Sequence, residues 1–346
     1  MLFRKENRKM KILIIGGTGT ISAAVSRRLA EGEHELYLLN RGNANNALPS
    51  NVKFIKADIN DEKAASGSLG DMKFDVVCDF IGFVKPQLER DFRLFAGKTK
   101  QFVYISSASA YNKLPSDYII TEGTSLANPF WEYSRNKIQC EEHLMKLYRD
   151  EGFPVTIVRP SHTYNETSVP LGVHGRKGSW QVIKRMLEGK PVIIHGDGTS
   201  LWTMTDSRDF AEGFIGLLGN PHAIGEAFQI TSDETLTWNR IYQTIARCLG
   251  VELKPYHVAS EFLAAVSDYD FTGSLIGDKA NSVVFDNSKL KRAVPDFRPK
   301  IRFEEGIRST LNYVLSHKEC QIEDEEFDKW CDKVIAALEN TKKEIL

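Results

Sequence analysis

The stretch Lys11-Ile12-Leu13-Ile14-Ile15-Gly16-Gly17-Thr18-Gly19-Thr20-Ile21-Ser22 decides how the rest of the chain is read. Its aliphatic run has the pattern of a strand buried on both faces, and it passes directly into glycines and then into an amphipathic segment expected to be helical over 20–31. Glycine lets the backbone turn tightly and approach a pyrophosphate, whose charge then sits at the positive end of the following helix. In that context Gly16, Gly17, Thr18, Gly19, Thr20 and Ile21 read as a dinucleotide seat, with Ser22 where a further Gly or Ala normally permits close helix packing. A glycine turn without a ligand is the plain alternative, and the order strand, turn, helix argues against it.

Outward from this loop, apolar runs alternate with amphipathic ones. Strands are expected at Lys11–Ile15, Glu35–Leu39, Val52–Ala57, Phe74–Asp79, Gln101–Ser106 and Val155–Arg159, with helices at about 20–31, 85–96 and 129–150. This rhythm predicts an α/β fold, a Rossmann-type doubly wound parallel sheet over residues 10–160, to which 205–232 return. From Ser161 the pattern becomes irregular, and Thr163–Ser179, rich in Gly, Ser, Thr and His, reads as a loop. Helices at about 179–188, 207–218, 237–249 and 304–316, with strands at Pro191–His195 and Ala227–Ile230, suggest a smaller mixed α/β C-terminal substrate domain over 161–204 and 233–320. The charged stretch 321–346, with Phe327, Trp330, Val334 and Leu338 in helical spacing, is expected to be a helix docked on the body.

Composition narrows the function. Hydrophobic residues are 42% and charged residues 26% of 346, and the net charge is -1, so nothing recruits nucleic acid or an anionic membrane by a global field. A small-molecule partner is expected instead. The cysteines Cys78, Cys140, Cys248, Cys320 and Cys331 are odd in number and scattered, which suits free thiols in a reducing compartment. Residues 1–9 are polar and read as a frayed leader, no run of apolar residues is long enough for a membrane helix, and a cytoplasmic location follows. No HExxH, Cys/His cluster or EF-hand loop supports a metal.

Where NAD sites carry an Asp or Glu for the ribose, about twenty residues beyond the loop, this chain has Asn40-Arg41. No carboxylate repels a 2′-phosphate there and Arg41 can pair with one, so NADP is expected, with NAD as the alternative and a solvated Arg41 as the plain reading. Tyr133-Ser134-Arg135-Asn136-Lys137 lies within an expected helix, whose period puts Tyr133 and Lys137 on one face. Acid–base work by a tyrosine near neutral pH needs a positive neighbour to favour the phenolate, and Lys137 can supply it. A surface helix pair is the plain alternative. Tyr104-Ile105-Ser106-Ser107-Ala108-Ser109 tips the balance, because a strand ending in hydroxyls delivers them to the sheet edge where such folds bind ligands.

With these pieces in place, the chain resembles the extended short-chain dehydrogenase/reductase superfamily, in particular the NAD-dependent epimerase/dehydratase group. The likeness runs through the glycine loop, Asp58-Ile59, Phe80-Ile81-Gly82, the serine strand, the YxxxK helix, Arg159-Pro160, Gly196-Asp197-Gly198 and Asp209, the last as an aspartate leading a helix. It implies catalysis by Ser107, Tyr133 and Lys137. It also implies a cofactor site in which Asp58 and Ile59 meet adenine, Phe80 and Ile81 flank the cofactor, and Ser106, Lys137, Arg159 and Pro160 complete the contacts. Strand-end polarity and core packing are the plain readings of several of these. A homodimer is implied as well. Epimerases and dehydratases restore the cofactor within a turnover and reductases consume it, and the sequence leaves these open. The Asn40-Arg41-Gly42 and Phe80-Ile81-Gly82 segments also look like those of chloroplast stem-loop-binding relatives, which makes a non-catalytic RNA-binding protein the second reading.

Two departures bear on substrate. Trp202 stands where sugar-nucleotide enzymes of the group carry a diphosphate-holding arginine, and Ser161-His162 follows Arg159-Pro160 where an asparagine usually meets the substrate. Arg176, Lys177 or Lys184 are alternative phosphate contacts. His162, His174, Trp180 and Trp202, with Ser107 and Ser161, are expected to line a pocket for a sugar or another flat hydroxylated molecule, against a core reading for the tryptophans.

Overall fold

Strand β1, Lys11–Ile15, lies inside a seven-stranded sheet in which every neighbour is parallel. The other strands are β2 (Glu35–Asn40), β3 (Lys53–Lys56), β4 (Val76–Asp79), β5 (Phe102–Ile105), β6 (Val155–Pro160) and β7 (Ala227–Ile230). Their order across the sheet is β7-β6-β5-β4-β1-β2-β3. The computed structural model describes residues 9–42, 48–114 and 117–346. Apart from Lys9, the expected leader lies outside the described residues.

Alternation along β1 sorts the core into two faces. Ile12 and Ile14 pack with Val25 and Leu29 of helix α1 (Ser22–Ala30), while Leu13 and Ile15 pack on the opposite side with Leu69 of α2 (Glu62–Leu69) and Leu88 of α3 (Lys85–Phe95). Helix α4 (Glu132–Glu151) joins the second face through Cys140 and Leu144. After α5 (Trp180–Leu187), the chain returns to the first face with α6 (Ser207–Leu217), whose Phe210 and Phe214 are fully buried, and β7 then pairs with β6. Sheet order reverses direction between β1 and β4, and ligands of open parallel sheets bind outside the strand ends at such a point.

A third cluster gathers the remaining apolar residues around Trp238, Tyr242, Phe303 and Phe327. Short strand pairs lace it together. His162–Tyr164 runs parallel to Met204–Asp206, and Val284–Phe285 runs parallel to Ile119–Ile120. The terminal helix, Glu325–Ile345, buries Phe327, Cys331 and Val334, and Arg185 of α5 reaches Asp328 and Asp332 at 2.7 Å each.

Most differences from the sequence reading sit at element ends. The third strand is trimmed to Lys53–Lys56, and the fourth starts at Val76 because Phe74 makes only an isolated bridge to Thr99. The YxxxK helix starts at Glu132, since Asn128 Oδ1 accepts the Phe130 and Trp131 amides and holds that segment as a turn. Asp206, not Asp209, caps α6, by accepting the Arg208 amide; Asp209 Oδ2 takes the amides of Lys300 and Ile301. Helix α2 and a π-helical stretch, Thr272–Lys279, have no counterpart in the periodicity.

One buried ion pair ties the sheet to α4. Arg159, at the end of β6, donates to Glu141 at 2.6 and 3.0 Å, the Ser106 hydroxyl bonds the same carboxylate, and the guanidinium stacks over the Tyr111 ring at 4.9 Å. These contacts occupy Ser106 and Arg159, both buried, in the frame and not in the cofactor contacts that the resemblance implied. Removing one partner of a buried pair strands the other, at about 3–5 kcal/mol. Arg159→Met is therefore expected to lose about that much stability in denaturant titrations while the folded protein keeps whatever affinity the wild type has for a nicotinamide dinucleotide; a protein that keeps its stability and loses dinucleotide binding would return Arg159 to the cofactor site.

Candidate active site

The glycine loop has the shape its sequence suggests. Gly16 and Gly17 take φ of +99° and +84°, and a Cβ on Gly17 would stand 2.8 Å from Leu38 Cδ2, so both steric room and backbone conformation demand glycine. Across the loop, a Cβ on Gly16 would meet Ile81 Cγ2 at 3.1 Å and Phe80 Cβ at 3.7 Å, which puts the turn after β4 against the turn after β1. Ser26 Oγ donates to Gly17 O, and Ser22 Oγ accepts the Gly19 amide at 2.9 Å, so the serine in the last motif position closes the turn that a smaller residue would leave open. Registers Ile15–Leu39 and Leu39–Ile55 bring Asn40-Arg41 and Asp58 to the same edge, with Arg41 and Asp58 exposed. Backbone left open at a helix N-terminus, with these side chains beside it, fits a dinucleotide. Thr18, Thr20 and Ile21 complete the loop, whereas Ile59 is buried in the core.

Tyr133 and Lys137 occupy one face of the first turns of α4, above the end of β5. Lys137 is buried, and its ammonium donates to Gly82 O and Ile105 O at 2.7 Å each. The rings of Phe83 and Tyr104 lie 4.7 and 4.8 Å from it. Burial pushes this lysine down to about 8, against the lift from Asp79. The Tyr133 phenol is raised: burial dominates, the bond with Ser107 pulls the other way, and the Asp278 charge adds to the rise. The expected depression of the phenol by Lys137 is thus corrected, since the ammonium spends its charge on two carbonyls and sits 5.8 Å from the ring centroid.

Asp79 braces this arrangement from below. Its Oδ1 accepts the Ile81 amide at 2.8 Å, and a Cβ on Gly82 would fall 2.3 Å from Oδ2, so the turn bearing the Lys137 acceptor is moulded on this carboxylate. Asp79 and Asp91 are both fully buried, each with one oxygen lacking a hydrogen-bond partner, and burial and the Asp79 charge push Asp91 well above the carboxylate range.

Beside Tyr133 opens a cavity of about 270 Å³. Ser107, Tyr133, Pro160, Ser161, His162 and Trp202 line it, so residues from four separate sequence segments meet at one place. Trp202 Nε1 donates to His162 Nδ1 at 3.2 Å. An indole can only donate, so Nδ1 is the acceptor and the ring's proton lies on Nε2. Burial, helped by the charges of Lys279 and His174, pushes this histidine down to about 3 and keeps it neutral. The cavity also takes in Ser109, Lys113, Trp131, Asp278, Lys279 and Phe285, none of which sequence reasoning singled out. Lys113 follows the serine strand closely, which was the one signal available; Asp278 and Lys279 belong to the π-helical stretch and carry no motif.

His174 and Trp180 are not among the residues that line the cavity, although the His174 charge reaches His162. His174 is exposed, with Nδ1 2.9 Å from Gly175 O, and Trp180 opens α5 beside a separate hollow lined by Ser168, Lys177 and Cys320. The cause is α5, which is clamped to the terminal helix through Arg185 and holds its first residue away from Tyr133. Lys184 is engaged with Glu323, and Lys177 with Glu323 O. Among the described residues no group of three or more His, Cys, Asp or Glu side chains is placed to hold a metal, and no helix is long and apolar enough to cross a membrane.

The profile of the NAD dependent epimerase/dehydratase family matches residues 12–231, and the chain belongs to that family. It is thereby an enzyme of the extended short-chain dehydrogenase/reductase type. Similar proteins include 2'-dehydrokanamycin reductase of Streptomyces kanamyceticus, 25% identical over 300 residues, with 86% of this chain and 83% of the relative covered. The chloroplast stem-loop binding protein of 41 kDa b of Arabidopsis thaliana is 28% identical over 327 residues, 90% of this chain and 81% of the relative. Among solved structures, UDP-glucuronic acid 4-epimerase from Bacillus cereus, in complex with UDP-glucuronic acid and NAD, superposes with a TM-score of 0.71 at 20% identity, covering 89% of this chain and 99% of that one. That likeness is one of fold.

The Trp202–His162 bond makes a direct prediction. In ¹⁵N NMR, His162 is expected to be the Nε2–H tautomer and to stay neutral from pH 8 down to pH 5, because its folded value lies near 3. Titration near the unperturbed value of about 6.5 would show that the ring is solvated and not locked by Trp202.

Proposed function

We propose that this enzyme transfers hydride between NADP and a carbon bearing a hydroxyl or carbonyl on a sugar-like substrate, with Tyr133 as the acid/base. The observation that carries this reading is the grouping of Ser107 and Tyr133 on one cavity wall, with the Lys137 ammonium buried along the same helix face. The nicotinamide, when bound, supplies or accepts the hydride. Tyr133 gives its phenolic proton to the substrate oxygen in the reducing direction and takes it back in the oxidising one. Ser107 holds that oxygen, and the neutral His162 presents its Nε2–H to the same space. Lys137 keeps the Phe80–Gly82 turn seated and, through its bonds to Gly82 O and Ile105 O, holds the first turns of α4 and with them Tyr133 at the end of β5. Gly16, Gly17 and the start of α1 would hold the pyrophosphate, and Arg41 the 2′-phosphate.

Relatives act on, or are named for, both keto-sugars and nucleotide-linked sugars, and the family's three outcomes of epimerisation, dehydration and reduction share this chemistry. A net charge of -1 and a cavity built around Ser107 and Tyr133 favour an enzyme over an RNA-binding role like the one in the stem-loop-binding relative's name. A cytoplasmic homodimer completes the reading, and light scattering tests its size.

Tyr133→Phe is expected to lower kcat by about 10²–10⁴-fold with NADPH binding retained; full turnover would refute the assignment. Activity is expected to fall as pH rises through about 8, where Lys137 loses its proton, and Lys137→Met should be slow at every pH and lack that limb. Arg41→Ala is expected to weaken NADPH by at least about tenfold and leave NADH unchanged; a wild-type preference for NADH overturns the NADP choice.

A further inference from the structure

The cavity beside Tyr133 contains more positive charge than it balances. Three of its lining residues, Lys113, Asp278 and Lys279, are charged, and both lysines are buried, at 2% and 9% exposure. Lys113 Nζ sits 2.8 Å from Asp278 Oδ1, which cancels one pair of charges. Lys279 Nζ has, among the described residues, only a backbone acceptor, Ser274 O at 3.1 Å in its own helical stretch. The remaining titratable lining groups do not compensate: Tyr133 is a protonated phenol and His162 is neutral. Asp270 is exposed and outside the lining; it bonds Trp131 Nε1 and the Gly273 amide, not the ammonium, and its charge gives Lys279 only the smallest of the recorded lifts. One ammonium is left over in a space walled by tryptophan.

An isolated buried ion is expensive unless a counter-charge and hydrogen bonds meet it. The protein nevertheless fixes this lysine firmly. Its carbonyl oxygen accepts Trp238 Nε1 at 3.1 Å, His195 Nε2 at 3.2 Å and Ser200 Oγ at 3.2 Å, and the π-helical turns that carry it are a backbone form concentrated at functional sites. Burial pulls the Lys279 ammonium down, joined by the Lys113 charge, while Asp278 and, more weakly, Asp270 lift it, so a bound anion would restore what burial removes. Ammonium N–H groups not used by Asp278 or Ser274 O remain for such a ligand.

We propose that Lys279, with the Lys113–Asp278 pair beside it, binds a single anionic group, a carboxylate or a phosphate, carried by the same small molecule whose oxygen meets Ser107 and Tyr133. At about 270 Å³ the cavity lies just under the roughly 300–1,000 Å³ of sites for drug-sized ligands, so the anion and the reacting carbon belong to one sugar-sized piece. The substrate class is a sugar acid or a sugar phosphate, with the charge on the sugar itself. This rests on the hydride-transfer reading for the position of the reacting oxygen, but the charge argument is independent of it.

Calorimetric titration of the full chain saturated with NADP tests the subsite, with sodium glucuronate, glucose 6-phosphate and glucose as probes. At least one anionic probe is expected to bind about tenfold or more tightly than glucose, and the order of the two anions tells carboxylate from phosphate. Lys279→Gln should abolish the preference and Lys279→Arg should keep it. Asp278→Asn, which removes the negative charge from the cavity lining, should strengthen anion binding, a change of sign that a purely structural role for the pair would not produce. Equal affinity for all three probes, no saturable binding of either anion, or an unchanged preference in Lys279→Gln overturns the proposal. Tyr133→Phe should keep the preference for an anionic probe over glucose, whatever it does to affinity as a whole, so loss of the catalytic assignment and loss of the subsite register as separate results.

Discussion

A lysine ammonium taken out of water needs acceptors, and Lys137 finds them in two backbone carbonyls, Gly82 O after β4 and Ile105 O at the end of β5. That single group therefore ties α4 to two neighbouring strand ends. Everything chemical in the molecule is arranged around the tie: the Phe80–Gly82 turn faces the glycine loop, Ser107 follows Ile105, and Tyr133 lies one turn back along the same helix. Buried polar groups are tolerated only when satisfied, so the geometry of this junction is strongly specified.

Two further buried networks keep the junction rigid. Below it, Asp79 moulds the turn and shares its charge problem with Asp91 and Arg90. Beside it, Glu141 gathers Ser106 and Arg159, and Arg159 passes the connection through Tyr111 to Gln229 on β7. The cavity is thus framed by carboxylates held in buried networks, whereas Lys279 in its own lining meets only a backbone carbonyl. This asymmetry makes the frame structural and the cavity receptive.

The fold was legible because its signals are local. A doubly buried strand, a glycine turn and an amphipathic helix announce themselves within twenty-odd residues of chain, and the strand–helix rhythm repeats through β6. Site residues at strand ends were legible for the same reason: a residue such as Ser107 follows its strand by register alone. Helix ends were less so, since Asn128 and Asp206 set them through side-chain bonds that periodicity does not contain. Ser106 and Arg159 show the limit of motif reading, for their positions at strand ends are real but their side chains turn inward to Glu141.

What the amino-acid order determined by itself is the class of the protein: a dinucleotide fold of the epimerase/dehydratase family, with Tyr133 and Lys137 on one helix face and Asn40-Arg41 at the end of β2. Tertiary structure alone decided the composition of the cavity. Lys113, Asp278 and Lys279 come together across more than 160 residues of chain, and His162 acquires its tautomer from Trp202, because contacts between distant segments depend on how loops pack and leave no period in the sequence. For the same reason Trp180, an expected pocket residue, lies outside the cavity once α5 is anchored to the terminal helix.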